Sequence, residues 1–455
     1  MCSICNYKIL LFICLQQVVL HEDTIQMERF EEVPFPLQFS ATLWQVTNEE
    51  AVLNGGAPIL TEIGPYIYKL YQYRNVTSID GDIIKYRRVD HFEFDAEASY
   101  PYTEDDIVTI AVIQIAESRF PALMTILNSA MPAVFGVYNS PFLTTRVGDL
   151  FLDGIRICDN PGLVGIIACN IIRLIGANAQ NLVEQPDGSI LFSLFDYKDG
   201  KPTAEYTVLR GLDDPKMLAE IIRFDDLPYF QYWVNEQEDT PSICNAIRGT
   251  DSGIFAPFLD TEKSIYAINL DICRTVELRY QYDIEVEGIP TVRYSSNEWF
   301  MDNHEGCYCL NVTHGVNRED GCLLTGTMDL VAEPDVQSIL VLLYIMCIQS
   351  RYFVQQTGIP VRGAKRAQFN MFLKPVTNIP TTTNLRTVLT PIVWIEEVRL
   401  RQVFMLRYVS MVWLFICIII FIFKKKIGIY SISAPNTSLK RKGYRGLFPY
   451  KLLQT

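Results

Sequence analysis

Histidine is scarce in this chain: four in 455 residues, His21, His91, His304 and His314. None stands with another histidine or a cysteine at the spacing of a usual metal site, so no metal is expected. A Gly-x-Ser-x-Gly elbow, a phosphate-cradling glycine loop and a Gly-x-Gly-x-x-Gly run are also missing. The stretch Gly249-Thr250-Asp251-Ser252-Gly253 comes nearest and has the wrong spacing. Adjacent acidic pairs such as Asp105-Asp106, Asp213-Asp214 and Asp225-Asp226 read as solvated turns, because catalytic carboxylates must face each other across a site. Neither an enzyme nor a cofactor is expected. There is no internal repeat of fixed period and no low-complexity segment.

Positive charge is confined in an informative way. The formal charge is −13, yet residues 424–455 hold eight basic residues and no acidic one, which leaves −21 for the rest. A strongly acidic body argues against nucleic acid as a partner. The basic tail follows an apolar run at 409–423, broken only by Ser410, extended by Tyr408 and flanked by Arg407 and Lys424-Lys425-Lys426. The run is short for a bilayer, but its flanking charges can snorkel. By the positive-inside rule the tail is cytoplasmic. Near the N-terminus, residues 9–20 are a shorter apolar run after Lys8, readable as a signal-peptide core or part of an anchor. A third apolar run, 339–348, is too short to span and reads as core.

Between these runs, nearly half of all residues being hydrophobic, a sizeable core can form. Residues 67–73 and 83–94 read as strands, with Ile79-Asp80-Gly81-Asp82 as the turn between them. Asn75-Val76-Thr77 is a glycosylation acceptor, placed in that connection, and Asn311-Val312-Thr313 is a second. From 190 to about 294, frequent turn residues punctuate strand-like runs, which predicts an antiparallel sheet or barrel. Residues 120–145 carry no charge, and Phe120, Leu123, Met124, Leu127, Met131, Val134 and Phe135 recur at helical spacing. Such a helix is either core or an exposed surface for lipid or ligand.

Five cysteines lie between Cys244 and Cys322: Cys244, Cys273, Cys307, Cys309 and Cys322. That density predicts a disulfide framework matured in an oxidising lumen. Their odd number leaves one over.

Several ordered motifs resemble the class B scavenger receptor family. They are Gln17-Val18-Val19-Leu20, Val46-Thr47-Asn48, Gly64-Pro65-Tyr66-Ile67-Tyr68 and Cys244-Asn245 through Gly249-Thr250-Asp251 with Pro257-Phe258. Asp271-Ile272-Cys273-Arg274, Gly288-Ile289-Pro290, Cys307-Tyr308-Cys309 and Lys365-Arg366-Ala367-Gln368 follow, then Leu373-Lys374-Pro375 and Pro391-Ile392-Val393-Trp394. The resemblance spans roughly residues 17–423. It implies a mainly β fold with some α: an irregular antiparallel β-barrel, an apical helical bundle and an internal hydrophobic tunnel, anchored in a membrane. Residues 1–20 would then be an N-terminal anchor or signal-like segment, 21–407 the lumenal domain, 408–423 the transmembrane helix and 424–455 the cytoplasmic tail.

The resemblance also implies a receptor for lipids or lipid-bearing, lipoprotein-like particles, which passes lipid down the tunnel into the membrane. A lysosomal sorting receptor with a protein ligand at the apex is the alternative, so plasma and lysosomal membranes both fit; a lipid-active enzyme is a remote third. Carried over by position, the pairing is Cys244–Cys307 and Cys309–Cys322, with Cys273 unpaired because the sixth cysteine of the family is absent. Glycan is expected on Asn75 and Asn311, and ligand contact at Phe120, Leu123, Met124, Leu127, Met131 and Phe135. Three departures stand out: the motif around that sixth cysteine is missing, 338–352 is apolar where the family is mixed, and the N-terminal span reads as truncated.

Overall fold

Runs of β-branched and aromatic residues dominate the chain and fold as they read, into strands. In the computed structural model, residues 18–111, 130, 134–135, 140–175, 181–232, 242–296, 346–355, 357–376 and 379–400 are described. In chain order the strands are β1 (Leu37–Val46), β2 (Leu60–Asp80), β3 (Ile83–Phe94), β4 (Ile107–Ala111), β5 (Phe142–Arg146), β6 (Ile155–Ile157), β7 (Leu182–Glu184) and β8 (Ile190–Phe192). There follow β9 (Tyr206–Leu209), β10 (Ile221–Phe224), β11 (Ile265–Asn269), β12 (Arg274–Val286), β13 (Ile289–Ser295), β14 (Met346–Val354), β15 (Ile359–Leu373) and β16 (Val388–Leu400). The α-helices are α1 (Ile25–Glu31), α2 (Glu49–Leu53), α3 (Ala96–Ser99) and α4 (Gly162–Ile175).

Eleven of the strands form one antiparallel sheet, in the order β10-β9-β3-β2-β1-β16-β15-β14-β13-β12-β11, while β4 pairs with β5 and β8 lies between β6 and β7. The longest hairpin of the large sheet is β2–β3, where Asp80 faces Ile83 across the two-residue turn Gly81-Asp82. Gly81 takes a positive φ of 55° there, which glycine adopts at little cost. Asn75 therefore lies within β2, opposite Arg87, and not in a loop; it is nonetheless exposed. The expected barrel is not closed by strand pairing. Instead the segment at Gly249 and Thr250 bonds to both edges: Ile221 N donates to Gly249 O at 2.8 Å, Thr250 N to Tyr266 O at 3.2 Å, and Ile268 N to Thr250 O at 2.8 Å.

That seam depends on Gly249. Its φ is +78°, and a Cβ there would run into the carbonyl of Tyr266. Gly249→Ala is expected to lower stability by at least about 1–3 kcal/mol, the cost of the strained φ alone. Thermal unfolding of the purified chain checks this; an unchanged midpoint would mean that the seam does not hold the sheet edges.

The main core packs β1 and β2 against β4, β5 and the 149–153 turn. Phe39 meets Phe92 at 5.2 Å and Phe195 at 5.3 Å, and Tyr68 meets Phe151 at 6.1 Å, all edge to face. A second cluster joins α1, through Met27 and Phe30, to Ile84, Tyr86, Tyr206, Val208 and Phe224 of β3, β9 and β10. The described residues all fall in one compact unit, Met1–Arg401. Among them no helix is long and apolar enough to cross a membrane; residues 409–423 and most of 120–135 lie outside them. The run 339–348 enters the described residues at Met346, where it contributes to β14 of the main sheet.

Candidate functional site

Helix α4 is apolar on two sides. Asn170 and Arg173 are its only strongly polar residues. One side buries Ala168, Cys169 and Ile172 in the main core. Leu163, Ile166, Ile167 and Leu174 recur at helical spacing on the other and are 87 %, 45 %, 60 % and 79 % exposed. Fully burying such a side chain is worth about 1.5–3 kcal/mol, so a row of four is a surface suited to an apolar partner.

The helix is held from both ends. A disulfide joins Cys158, just after β6, to Cys169 on the buried side. Cys158 N also donates to Val134 O at 2.6 Å. Near the C-terminal end, Arg173 pairs with Glu184 of β7 at 2.9 Å and donates to Gly188 O. The sequence signals were present: a cysteine pair eleven residues apart around an apolar run with a single charge. The denser cluster from Cys244 to Cys322 outweighs that pair in a reading by cysteine density.

Within the large sheet lies a second feature, a cavity of about 60 Å³. It is lined by charged side chains, unlike the apolar passage that the resemblance implies. Asp251 receives the Arg74 Nε at 2.7 Å, the Tyr86 hydroxyl at 2.9 Å and Gly253 N at 2.9 Å. The Arg74 and Asp251 side chains are 2 % and 3 % exposed. Burial alone would raise the Asp251 carboxyl, but the Arg74 charge and hydrogen bond hold it well below the usual carboxylate range. Asp271 accepts from both Lys198 and Lys365, and Lys365 also reaches Glu397 at 3.2 Å. Burial again opposes ionisation of Asp271, and the two lysines outweigh it. Arg351 differs: burial pulls it down to about 10, with Glu397 and Asp251 acting only as distant charges.

Of the residues singled out in the sequence, Cys244 is buried and disulfide-bonded. Cys307, Cys309 and Cys322, Asn311, Phe120, Leu123, Met124, Leu127 and Met131 lie outside the described residues. Phe135 is half-buried and packs against the main core. Cys273 is a buried thiol whose Sγ donates to Leu270 O at 3.5 Å. Burial, then the Asp271 charge, push it up to about 12. A maleimide at pH 8 should therefore leave Cys273 unlabelled in the folded chain and label it fully in denaturant, because the thiolate is the nucleophile. Rapid native labelling, read by peptide mass, would contradict that burial. Among the described residues no cluster of three or more His, Cys, Asp or Glu is placed to hold a metal ion.

The sequence profile of the CD36 family matches residues 2–340 and 351–431. The chain belongs to the CD36 family. The resemblance to class B scavenger receptors, read from the ordered motifs, is thereby upheld. This CD36-family chain is similar to sensory neuron membrane protein 2 of Drosophila melanogaster, 34 % identical, the match covering 84 % of this chain and 83 % of that protein. Sensory neuron membrane protein 2 of Aedes aegypti is 28 % identical over 83 % of this chain and 84 % of its own length. Sensory neuron membrane protein 1 of the same mosquito is 27 % identical, covering 84 % of this chain and 73 % of that protein. The family and these relatives make it a membrane receptor-family protein. The profile match is interrupted between 340 and 351, within the stretch whose composition departs from the family.

Proposed function

We propose that this CD36-family protein is a receptor that captures lipophilic ligands on the exposed face of α4 and passes them toward the membrane that anchors it. The observation that carries the reading is the row Leu163, Ile166, Ile167 and Leu174, presented to solvent while a disulfide and the Arg173 contacts fix the helix beneath it. A fixed apolar surface loses little conformational entropy on binding, so less of the burial is offset by ordering than on a mobile surface. The relatives' name, sensory neuron membrane protein, supports placement in the membrane of a sensory neuron over a lysosomal one. In this reading residues 408–423 are the anchor, 424–455 the cytoplasmic tail, and Asn75, exposed on β2, carries glycan. Passage of lipid along an apolar conduit rests on the family alone.

The test uses the full chain in lipid nanodiscs and an environment-sensitive fluorescent fatty ester. Wild type should bind it saturably. Leu163→Asp/Ile167→Asp should bind at least tenfold more weakly, about 1.4 kcal/mol, with the fold intact because both side chains are exposed. Equal binding by the double variant would reject the docking face. Loss of binding to a protein partner alone would favour the sorting-receptor reading.

A further inference from the structure

The interior cavity presents hydrogen-bond donors that its own carboxylates do not satisfy. Asn269 on β11 is 5 % exposed; its Oδ1 accepts from Asp271 N at 3.0 Å, and its buried Nδ2 has no acceptor. Arg88 on β3 donates to Asp90 at 3.1 Å, and its buried Nε has none. Arg351 on β14 is 9 % exposed; it donates to Ser252 O at 2.9 Å and lies over the Phe255 ring, with no carboxylate as ion-pair partner among the described residues. All three line the same cavity. The acceptors around them are engaged: Asp251 by Arg74, Tyr86 and Gly253, Asp271 by Lys198 and Lys365, Glu397 by Lys365.

Charge points the same way. Arg88, Arg351 and Lys365 line the cavity with Asp251, Asp271 and Glu397; Arg74, Lys198 and Asp90 pair with these from outside it, so the cluster as a whole holds five cations and four carboxylates. A buried charge without a partner costs several kcal/mol, and a buried donor without an acceptor about 1–3 kcal/mol. One negative charge placed among these donors would answer both. We propose that the cavity binds a single monovalent anion through Arg351, Asn269 and Arg88, with the chemistry of chloride or of a carboxylate group. A volume of about 60 Å³ admits such a group. The site is separate from the α4 face, so it stands or falls independently of the docking reading.

The experiment follows thermal unfolding of the full chain in detergent, exchanged into gluconate, an anion too large for the cavity. Chloride, nitrate or acetate is then titrated at constant ionic strength. A binding anion should raise the midpoint saturably, by ligand linkage. Arg351→Gln should weaken the half-saturating concentration at least tenfold. Should that variant fail to fold, Asn269→Asp supplies a carboxylate from within and should abolish the response while keeping a cooperative transition. Decanoate and decanol separate the sources: stabilisation by decanoate far below the acetate concentration, without a decanol effect, assigns a lipid carboxylate. Equal effects of acetate and chloride assign a free ion. A midpoint indifferent to anion identity would mean that water alone meets these donors, and would overturn the proposal.

Discussion

Replacing Asp251 by alanine is expected to cost about 3–5 kcal/mol of folding stability, the usual penalty for leaving a buried charge alone. That is a large share of the roughly 5–15 kcal/mol that holds a domain together. The loss would strand the Arg74 guanidinium, which is 2 % exposed and keeps only Phe30 O as a hydrogen-bond acceptor, at 2.7 Å. It would also remove the acceptor of the Tyr86 hydroxyl. Replacing both charges, Arg74→Met with Asp251→Leu, should cost less than Asp251→Ala alone, because no charge is then stranded. The pH dependence has a definite sign. The folded carboxyl is held below its unfolded value, so its contribution is present above about pH 4 and is lost as pH falls further. The gap between wild type and Asp251→Ala should therefore be constant from pH 5 to 8 and narrow only in acid. Denaturant unfolding across that range checks it. A double variant worse than the single one would contradict this account of the pair.

Asp271→Ala is expected to cost about 2–4 kcal/mol, somewhat less because about a fifth of each side chain in this cluster is exposed. It removes the carboxylate that both Lys198 and Lys365 contact and leaves Glu397 to serve them. Here the sign of the pH effect reverses. In wild type, burial lowers Lys198 and the Asp271 charge more than restores it, so the ammonium is stabilised. In the variant two like charges face each other, and one lysine should titrate below its unfolded value. The variant then gains stability relative to wild type as pH rises toward about 10, where an ordinary lysine deprotonates. A penalty that stays constant between pH 7 and 10 would show that the lysines are not in mutual contact.

Much of the sheet was legible because its cues are local. Gly81-Asp82 between two aromatic-rich runs announces the β2–β3 hairpin, and the structure puts the turn there. The stop of the glycosylation motif in a strand was not legible, because β2 runs on to Asp80 and the turn takes only two residues. Helix α4 hid for a physical reason. It is apolar toward the core at Ala168, Cys169 and Ile172 and apolar toward solvent at Leu163, Ile167 and Leu174. A helix of that kind has no polar side, hence no period to read. The charged interior was invisible for another reason: Arg74 and Asp251 are 177 residues apart, and Lys198 and Asp271 are 73 apart. No spacing rule reaches that far. The family motifs did mark Asp251, Asp271 and Lys365, without revealing that all three line one cavity. Around 338–352 the composition departs from the family, and the family match stops at 340 and resumes at 351. Met346–Val354 still pairs as β14 in the middle of the sheet, since Ile359–Leu373 offers it a partner in register.

Photolabelling tests the docking face most directly. The full chain in nanodiscs is irradiated with a diazirine-bearing fatty ester, digested and mapped by mass. The α4 face predicts label on Leu163, Ile166, Ile167 or Leu174, removed by excess unlabelled ester and missing from Leu163→Asp/Ile167→Asp. Saturable label that maps wholly elsewhere and persists in that variant would contradict it.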